Sequence, residues 1–326
     1  MFEIKKILVP TDFSDNASHA YNPARQLADR FNSKIDFIHV IPTLRYFNES
    51  ISNLGLPFSM EKDIYPKVQE ESLSKLNKLM DDYLEEENRG EAIARIAPKP
   101  SKAIVETAED KGYDLILMAT HGKHESDFFR GSITEKVIRY SGVPVLATDK
   151  TGIEDIKKIV VPTDGSQASL SAMPIAISLA LKFDASITLY HVLELHGSLT
   201  ENVEPNPLRS ETDNIYDILY GALETFFETS WDKVELRNGE GYKDQLVYNE
   251  GASSATIDLE TVIEKGVSAH QAIRGYASEF SDIVIMATQG HSGLAHLLMG
   301  STAEKVTQYL EMPVISVKPD LETKKK

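Results

Sequence analysis

The stretch KKILVPTDFS at Lys5–Ser14 returns as KKIVVPTDGS at Lys157–Ser166, 152 positions later. Each copy passes from a short apolar run into Pro-Thr-Asp and then to a serine, the order expected where a strand turns into a helix. The apolar run does not alternate with polar residues, so it predicts a strand that is buried on both faces. Such strands are typical of a parallel sheet with helices on both sides.

The repeat continues along the chain in the same order, which makes chance a poor explanation. Two tandem domains are therefore predicted, at residues 1–150 and 155–319, followed by a charged tail at residues 320–326. The further matches are His39-Val40 with His191-Val192, DLILMATHG from Asp114 with DIVIMATQG from Asp282, GSITEKV from Gly131 with GSTAEKV from Gly300, and Pro144-Val145 with Pro313-Val314.

The second copy is longer than the first between its second and fourth strands, where the spacing grows from 152 to 168 positions. The extra residues are placed in Leu236–Ala255, a polar stretch with glycine, asparagine and serine that predicts a surface hairpin or loop. Its central part, Asn238–Ser254, is either a partner-binding loop or a tolerated insertion, because added length costs a loop little entropy.

Strands and helices alternate regularly in the first copy. Each copy is therefore predicted to be a doubly wound, Rossmann-like sheet of five parallel strands, with ligands bound at the carboxyl ends of the strands where the strand order reverses. The predicted strands are Ile7–Pro10, Lys34–Val40, Ala92–Ile96, Leu115–Ala119 and Val143–Ala147, and the predicted helices are Ser14–Phe31, Tyr65–Glu87, Ser101–Lys111 and Ser132–Tyr140.

Composition excludes several classes of function. The formal net charge of -16 disfavours nucleic acid and anionic membrane surfaces as partners. The absence of cysteine rules out disulfides, thiolate metal sites and thiol nucleophiles. No apolar run approaches the ~20 residues that a membrane span needs, and no secretory signal is visible, so a cytoplasmic protein is expected.

The second copy carries a glycine-rich segment after its fourth strand. Gly290 is followed by nine residues and then by Gly300-Ser301, where a helix is predicted to begin. Ser301 and Glu304 have the spacing of a capping box, and a helix N-terminus suits phosphate. Gly-Ser alone is also a plain helix start, and Asp164 alone is equally well explained by an Asx-turn before a helix capped by Ser166.

Taken together, these residues resemble the universal stress protein family, whose fold is adenine nucleotide alpha hydrolase-like and whose nucleotide signature is a small residue, two positions, Gly, nine positions and Gly-Ser or Gly-Thr. The second copy departs from it only in having Ala287 at the first position. The resemblance implies ATP or another adenine nucleotide with Mg²⁺. Asp164 would contact ribose or adenine, Val192 would pack on adenine, and the glycine-rich segment would follow the phosphates. The implied site residues are Pro162, Thr163, Asp164, Val192, Met286, Ala287, Gly290, His291, Gly300, Ser301 and Thr302.

The first copy has only eight residues between Gly122 and Gly131, one fewer than the signature, so whether it binds nucleotide stays open. His39, His121 and His124 could hold zinc at this crevice, but His39 matches His191 as a feature of the fold and loop histidines are commonly solvated. No metal site is therefore predicted. The candidate residues of this copy are Pro10, Thr11, Asp12, Val40, Gly122, Gly131, Ser132 and Ile133.

Three functions remain open: a stress-response protein with nucleotide as effector or slowly hydrolysed ligand, an interaction module with empty pockets, and a nucleotide-dependent enzyme. The enzyme would need a glycine-rich catalytic loop after the first strand, where this chain has PTDFS and PTDGS, so no catalytic residue is assigned. Family members often dimerise through the last strand, so Val143–Ala147 is expected to pair with Pro313–Val317 in a pseudo-two-fold monomer, and a homodimer of whole chains is possible.

Overall fold

The chain folds as two compact units, residues Glu3–Gly152 and residues Met1–Phe2 with Ile153–Lys326, which we call the first and second domains. The computed structural model describes residues 1–43, 59–120, 132–148, 153, 155–194, 210–231, 233–251, 253–290 and 299–319. Among the helices of these residues, none combines the length and the apolar character that crossing a bilayer requires. The predicted pairing of residues 143–147 with 313–317 stays a prediction.

The first domain contains a parallel sheet with the strand order β3-β2-β1-β4-β5. Its strands are β1 Lys6–Pro10, β2 Lys34–Pro42, β3 Arg89–Ala97, β4 Leu115–Ala119 and β5 Val145–Thr148. Its helices are α1 Asp15–Ser18, α2 Tyr21–Phe31, α3 Tyr65–Tyr83, α4 Pro100–Asp110 and α5 Ser132–Tyr140, with a π-helical turn at Met60–Ile64 before α3 and a 3-10 turn at Glu86–Asn88 after it.

The second domain repeats this arrangement as β12-β11-β6-β7-β10, again parallel, and extends it with β9 and β8, which are antiparallel. Its strands are β6 Lys158–Pro162, β7 Ser186–Glu194, β8 Val234–Arg237, β9 Lys243–Glu250, β10 Ser253–Gly266, β11 Ile283–Ala287 and β12 Val314–Val317. Its helices are α6 Gln167–Leu170, α7 Met173–Phe183, α8 Glu211–Ser230, α9 Ala269–Phe280 and α10 Ser301–Tyr309.

The predicted α/β fold class is confirmed, with one difference in the second domain. Its sheet has two strands more than the predicted five, because the inserted residues pair with the sheet edge and do not form a separate loop. β9 and the start of β10 form an antiparallel hairpin in which Glu250 lies opposite Ser253. The inserted segment is therefore a hairpin, the first of the two forms that its polar composition predicted.

The core of each domain is built on the central strand and the helices on both sides of it. Ile7, Leu8 and Val9 of β1 are completely buried, as are Ile159, Val160 and Val161 of β6. Burial of one such side chain contributes roughly 1.5–3 kcal/mol, so these six positions hold the repeated strand at the centre of its sheet. The Pro-Thr-Asp that follows is thereby fixed at the carboxyl edge.

The helix predicted over residues 14–31 is two helices, α1 and α2, and α6 and α7 repeat the interruption. Pro23 and Pro174 explain it, since a proline ring clashes with the carbonyl four residues earlier, at His19 and Leu170. Ser14 and Ser166 are N-caps as predicted, because each side chain accepts a hydrogen bond from a first-turn backbone N–H. The short first helix places the Pro-Thr-Asp turn at the sheet edge.

The strand order reverses beside the central strand of each domain. β1 lies between β2 and β4, and β6 lies between β7 and β11, so consecutive crossovers leave the centre in opposite directions. This arrangement opens a crevice at the carboxyl ends of the strands. In the second domain the crevice lies between the ends of β6 and β11, where the sequence placed Asp164 and Gly290.

Candidate functional site

A cavity of about 150 Å³ opens in the second domain at the carboxyl ends of β6, β7 and β11 and the N-termini of α9 and α10. Ten of the eleven residues that the sequence singled out line this cavity, and the eleventh, His291, lies outside the described residues. The ten are Pro162, Thr163, Asp164, Val192, Met286, Ala287, Gly290, Gly300, Ser301 and Thr302.

Sequence reasoning missed eight lining residues. Most are chain neighbours of predicted residues, whereas Ala269 and Ile273 come from α9. The matching spacing of 168 positions puts Ala269 opposite Ser101 of the first copy, which was read as a helix start, and that signal could have found it. The missed residues are Ser169, Tyr190, His191, Ala269, Ile273, Thr288, Gln289 and Ala303.

The Pro-Thr-Asp turn is held by a dense set of hydrogen bonds. The Thr163 hydroxyl lies 2.7 Å from the Ser169 hydroxyl and accepts from the Gly165 N–H at 3.0 Å. Asp164 Oδ1 accepts from the backbone N–H of Ser166 at 3.0 Å and from its hydroxyl at 2.6 Å. The predicted Asx-turn is therefore present. It also fixes the direction of the Asp164 carboxylate, so the turn and a ligand contact are compatible.

Gly290 approaches this carboxylate more closely than any other residue type could. A Cβ built on Gly290 would lie 2.2 Å from Asp164 Oδ2 and 3.1 Å from its Cγ. Gly290 does not have a positive φ, so its backbone conformation does not require glycine. Glycine is required here because a side chain would clash with Asp164. Two motifs 126 positions apart in the sequence thus meet at one point of the cavity wall.

The N-terminus of α10 forms another part of the wall, and here the predicted capping box is wrong. The N-cap is Gly300, whose N–H donates to the carbonyl of Thr288 at 2.7 Å, so Ser301 is the first helical residue. Glu304 therefore falls one position too late to complete a box. Gly300 has no side chain with which to cap this helix end, and the first N–H groups of α10 and its positive dipole end face the cavity region.

His191 is buried beside the turn, with only 2% of its surface exposed. Its Nδ1 lies 2.9 Å from the carbonyl oxygen of Thr163, and because a carbonyl only accepts, Nδ1 carries the proton. Nε2 is buried without a partner among the described residues. Burial lowers the pKa of His191, opposed by the hydrogen bond to Thr163 and by the charge of Asp164, so the neutral ring is favoured.

The second domain should therefore lose stability in acid through His191. The pKa of His191 is lower in the folded state than in the unfolded state. The stabilisation that comes from its neutral ring is therefore fully present above the ordinary pKa of ~6.5 and is lost as the pH falls through the pKa of the folded state. His191→Asn, which keeps a donor for Thr163, should be less stable near neutral pH by about 1–2 kcal/mol. We expect this gap to narrow at lower pH in urea titrations followed by fluorescence of Trp231, the single tryptophan. A gap independent of pH would contradict the prediction.

One residue that lines the cavity, Tyr190, takes part in an aromatic stack. Tyr190 is fully buried, stacks on Tyr276 with ring centroids 4.5 Å apart, and donates its hydroxyl to Glu264 Oε2 at 2.5 Å. Burial, together with the hydrogen bond to Glu264, raises the pKa of Tyr190, so it remains a neutral donor. The stack joins β7 to α9 and so holds Tyr190, which lines the cavity, in place.

The first domain places its candidate residues at corresponding strand and helix ends. Pro10 ends β1, Asp12 accepts from the backbone N–H of Ser14 at 3.0 Å, and Val40 lies on β2. Thr11 is buried, and its hydroxyl lies 2.5 Å from that of Tyr21. Ser132 and Ile133 begin α5, whereas Gly122 and Gly131 lie outside the described residues.

The turn of the first domain differs at one position. Where the second domain has Gly165 with φ +80°, the first has Phe13 with φ +61°, a conformation that costs a non-glycine residue about 1 kcal/mol. The Phe13 ring packs on His39, with centroids 4.6 Å apart. His39 is thus part of the turn packing. Its supposed zinc partners, His121 and His124, lie outside the described residues.

The described residues contain no group of three or more histidine, aspartate or glutamate side chains placed to hold a metal ion.

Comparison with known proteins gives the class of the chain. The model of the universal stress protein family matches residues 3–149 and again residues 155–318. The chain belongs to this family and is a tandem, two-domain member of it.

Two curated universal stress proteins of Methanocaldococcus jannaschii are similar to parts of the chain. One is 31% identical over 163 residues, which are 50% of this chain and 82% of the relative. The other is 32% identical over 155 residues, 45% of this chain and 95% of the relative. A crystal structure of a universal stress protein from Archaeoglobus fulgidus has the same fold, with a TM-score of 0.62, 19% identity, and coverage of 98% of this chain and 97% of that one.

Proposed function

We propose that the second domain binds ATP or another adenine nucleotide, as an effector or slowly hydrolysed ligand in a stress response. The observation that carries the proposal is the meeting of Asp164 and Gly290 at one cavity wall, with the N-terminus of α10 beside them. A carboxylate for a hydroxyl or amine and a helix end for phosphate are the complementary groups that a nucleotide needs.

The size of the cavity indicates which parts of the nucleotide it would enclose. Its volume of about 150 Å³ is below the ~300–1,000 Å³ of pockets that enclose a whole drug-sized ligand. The base and ribose would therefore occupy the cavity, with Val192 against the base and Asp164 toward the ribose or the exocyclic amine. The phosphates would extend over Gly300, Ser301 and Thr302, and Mg²⁺ would accompany them, held by phosphate oxygens.

The test compares two matched carboxylates. Asp164→Asn keeps an oxygen that can accept from Ser166, so the turn should survive while the charge is lost. A charge-assisted hydrogen bond is worth ~1.5–3 kcal/mol, so ATP affinity should fall about 10- to 100-fold in calorimetric titrations with magnesium. Asp12→Asn makes the same change in the same turn of the first domain and serves as the control.

The stoichiometry of the wild-type chain completes the test. Nucleotide released on denaturation should amount to about one equivalent, and Asp12→Asn should leave ATP binding unchanged. A second equivalent that Asp12→Asn removes would place a working site in the first domain as well. Neither released nucleotide nor heat of binding in the wild type would refute the proposed function and favour an interaction module.

A further inference from the structure

The turn that joins β8 to β9, residues 238–242, contains the only Asn-Gly pair of the sequence, Asn238-Gly239. We call it the β8–β9 turn. Both residues of the pair are exposed, and the proposed nucleotide site uses neither of them. Asparagine before glycine is chemically reactive, because glycine has no side chain that would keep its backbone nitrogen away from the side-chain carbonyl carbon of the asparagine.

Gly239 is required by the path of the backbone in this turn. A Cβ built on Gly239 would lie 1.9 Å from the carbonyl oxygen of Lys243 and 3.0 Å from its carbonyl carbon. Backbone atoms cannot move aside as the end of a side chain can, so only glycine allows this close approach. The turn therefore keeps a reactive Asn-Gly sequence at an exposed position.

Asp244 of β9 holds the backbone nitrogen of this glycine. Its Oδ1 accepts from the Gly239 N–H at 3.1 Å, and only 3% of Asp244 is exposed. The hydroxyl of Tyr216, on α8, lies 2.7 Å from Oδ1 and 2.9 Å from Oδ2, so it donates to the same carboxylate. Burial, together with the hydrogen bond to Asp244, raises the pKa of Tyr216, so the tyrosine remains a donor. The carboxylate is thereby fixed toward Gly239.

A second pair attaches the turn to the same helix. Tyr242 donates its hydroxyl to Asp213 of α8, and its ring centroid lies 4.7 Å from that of Tyr216. Tyr242 has φ +63°, a conformation that is unfavourable for a residue with a side chain, so these contacts hold the turn in a shape it would not keep alone. Because β8 is an edge strand, the turn is placed where local opening costs least.

We propose that Asn238 is a site of spontaneous deamidation, and that the hydrogen bond from Gly239 to Asp244 protects it while the β8–β9 turn is closed. In the reaction the Gly239 nitrogen bonds to Cγ of Asn238, the Cγ–Nδ2 bond breaks, and ammonia leaves with the amide proton of Gly239. Water then opens the cyclic imide at either carbonyl group and gives aspartate or isoaspartate. An open turn frees the nitrogen for this attack, whereas the closed turn holds it against Asp244.

The modification makes an opening of the turn permanent. Isoaspartate adds one carbon to the backbone directly before Gly239, whose close contact with Lys243 leaves no room for a displaced chain. Either product also adds a negative charge two residues from Glu240, in a chain whose formal net charge is already -16. The modified turn should therefore stay open.

The test follows Asn238 by mass spectrometry of peptides from the full-length chain, after incubation in mildly alkaline buffer with or without urea. The folded wild type should deamidate about tenfold or more slowly than the unfolded chain. Asp244→Ala should deamidate about tenfold faster than the folded wild type, whereas Asp244→Asn, which keeps an oxygen for the Gly239 N–H, should stay within about threefold of it. Asp213→Ala, which releases Tyr242 and leaves Asp244 in place, should give a smaller acceleration.

Asn249, exposed near the end of β9 and followed by glutamate, is the internal control and should stay unmodified in every folded variant. Trp231 fluorescence checks that each variant is folded, and if Asp244→Ala is not, a wild-type rate in Asp213→Ala would overturn the proposal. Equal rates in the folded and unfolded wild type, or in Asp244→Ala and the wild type, would overturn the protection. Slower deamidation in Asp244→Ala would also overturn it, since the carboxylate would then promote the attack as a base. An Asn238 that stays intact in urea would overturn the site itself.

Discussion

Gly90→Ala is expected to lower the free energy of unfolding of the first domain by about 3 kcal/mol, although alanine normally improves a strand. A Cβ on Gly90 would lie 1.7 Å from Asp36 Oδ1 and 2.9 Å from the carbonyl oxygen of Ile35. Asp36 is only 4% exposed and cannot swing into solvent. Its Oδ1 accepts from the Glu91 N–H at 2.7 Å, and its Oδ2 accepts from the Tyr113 hydroxyl.

The Asp36 carboxylate lies at a β-bulge between β2 and β3. The register of β2 and β3 shifts between Ile35 and Phe37, so Asp36 faces the place where β3 has an extra residue. Displacing the carboxylate would leave the buried Tyr113 hydroxyl without its acceptor, which costs ~1–3 kcal/mol, and would break the partly buried bond from the Glu91 N–H. Burial together with the bond to Asp36 raises the pKa of Tyr113, so the tyrosine stays a donor at physiological pH.

The measurement is urea unfolding followed by circular dichroism, with Trp231 fluorescence reporting the second domain separately. Gly275→Ala, on α9 with no atom within 4 Å of the added Cβ, is the control and should be neutral or slightly stabilising. In an Asp36→Ala background the cost of Gly90→Ala should shrink markedly. An equal cost in both backgrounds would mean that contact with Asp36 is not the reason for glycine here.

The sequence predicted those parts of the fold whose chemistry is local. The motif of an apolar strand, Pro-Thr-Asp and an N-cap serine two residues later was enough to predict the strand end and the helix start in both domains. The early break before α2 was also readable, because Pro23 excludes a continuous helix through His19. Asp36 was not readable, since its bulge depends on Gly90 and Tyr113, which lie 54 and 77 positions further along the chain.

The candidate site also has residues that local motifs predicted and residues that depend on contacts distant in the sequence. Its predicted residues lie in short motifs at strand ends, and topology brings strand ends together. Tyr190 and Ile273 were missed because they reach the cavity through packing between β7 and α9, which no short motif encodes. The prediction of a capping box was wrong because the spacing of Ser301 and Glu304 does not determine which residue is the N-cap. The bond from Gly300 to Thr288 places the N-cap one residue earlier.

Gly290→Ala is expected to abolish high-affinity nucleotide binding, with a loss of about 100-fold, at a cost in stability of only about 1 kcal/mol. The added Cβ would overlap Asp164 Oδ2 at 2.2 Å, and Oδ1 is tied to Ser166, so the carboxylate must turn away from the cavity. Asp164 is half-buried at the sheet edge, so it can move into solvent, which Asp36 cannot. The same kind of contact therefore damages binding in one domain and folding in the other.

Gly300→Ala is the control for Gly290→Ala, because it adds a methyl group at the same cavity without a steric clash. A Cβ there would lie 3.5 Å from the Thr288 carbonyl oxygen, an ordinary contact, and Gly300 has φ −63°, which any residue adopts. We expect this variant to keep its melting temperature and to lose less ATP affinity than Gly290→Ala in parallel thermal and calorimetric measurements. Wild-type ATP affinity in Gly290→Ala would refute the role of the Asp164–Gly290 contact. Loss of binding accompanied by loss of the folded circular dichroism spectrum would assign that glycine to the fold, because the two effects can be told apart only while the domain remains folded.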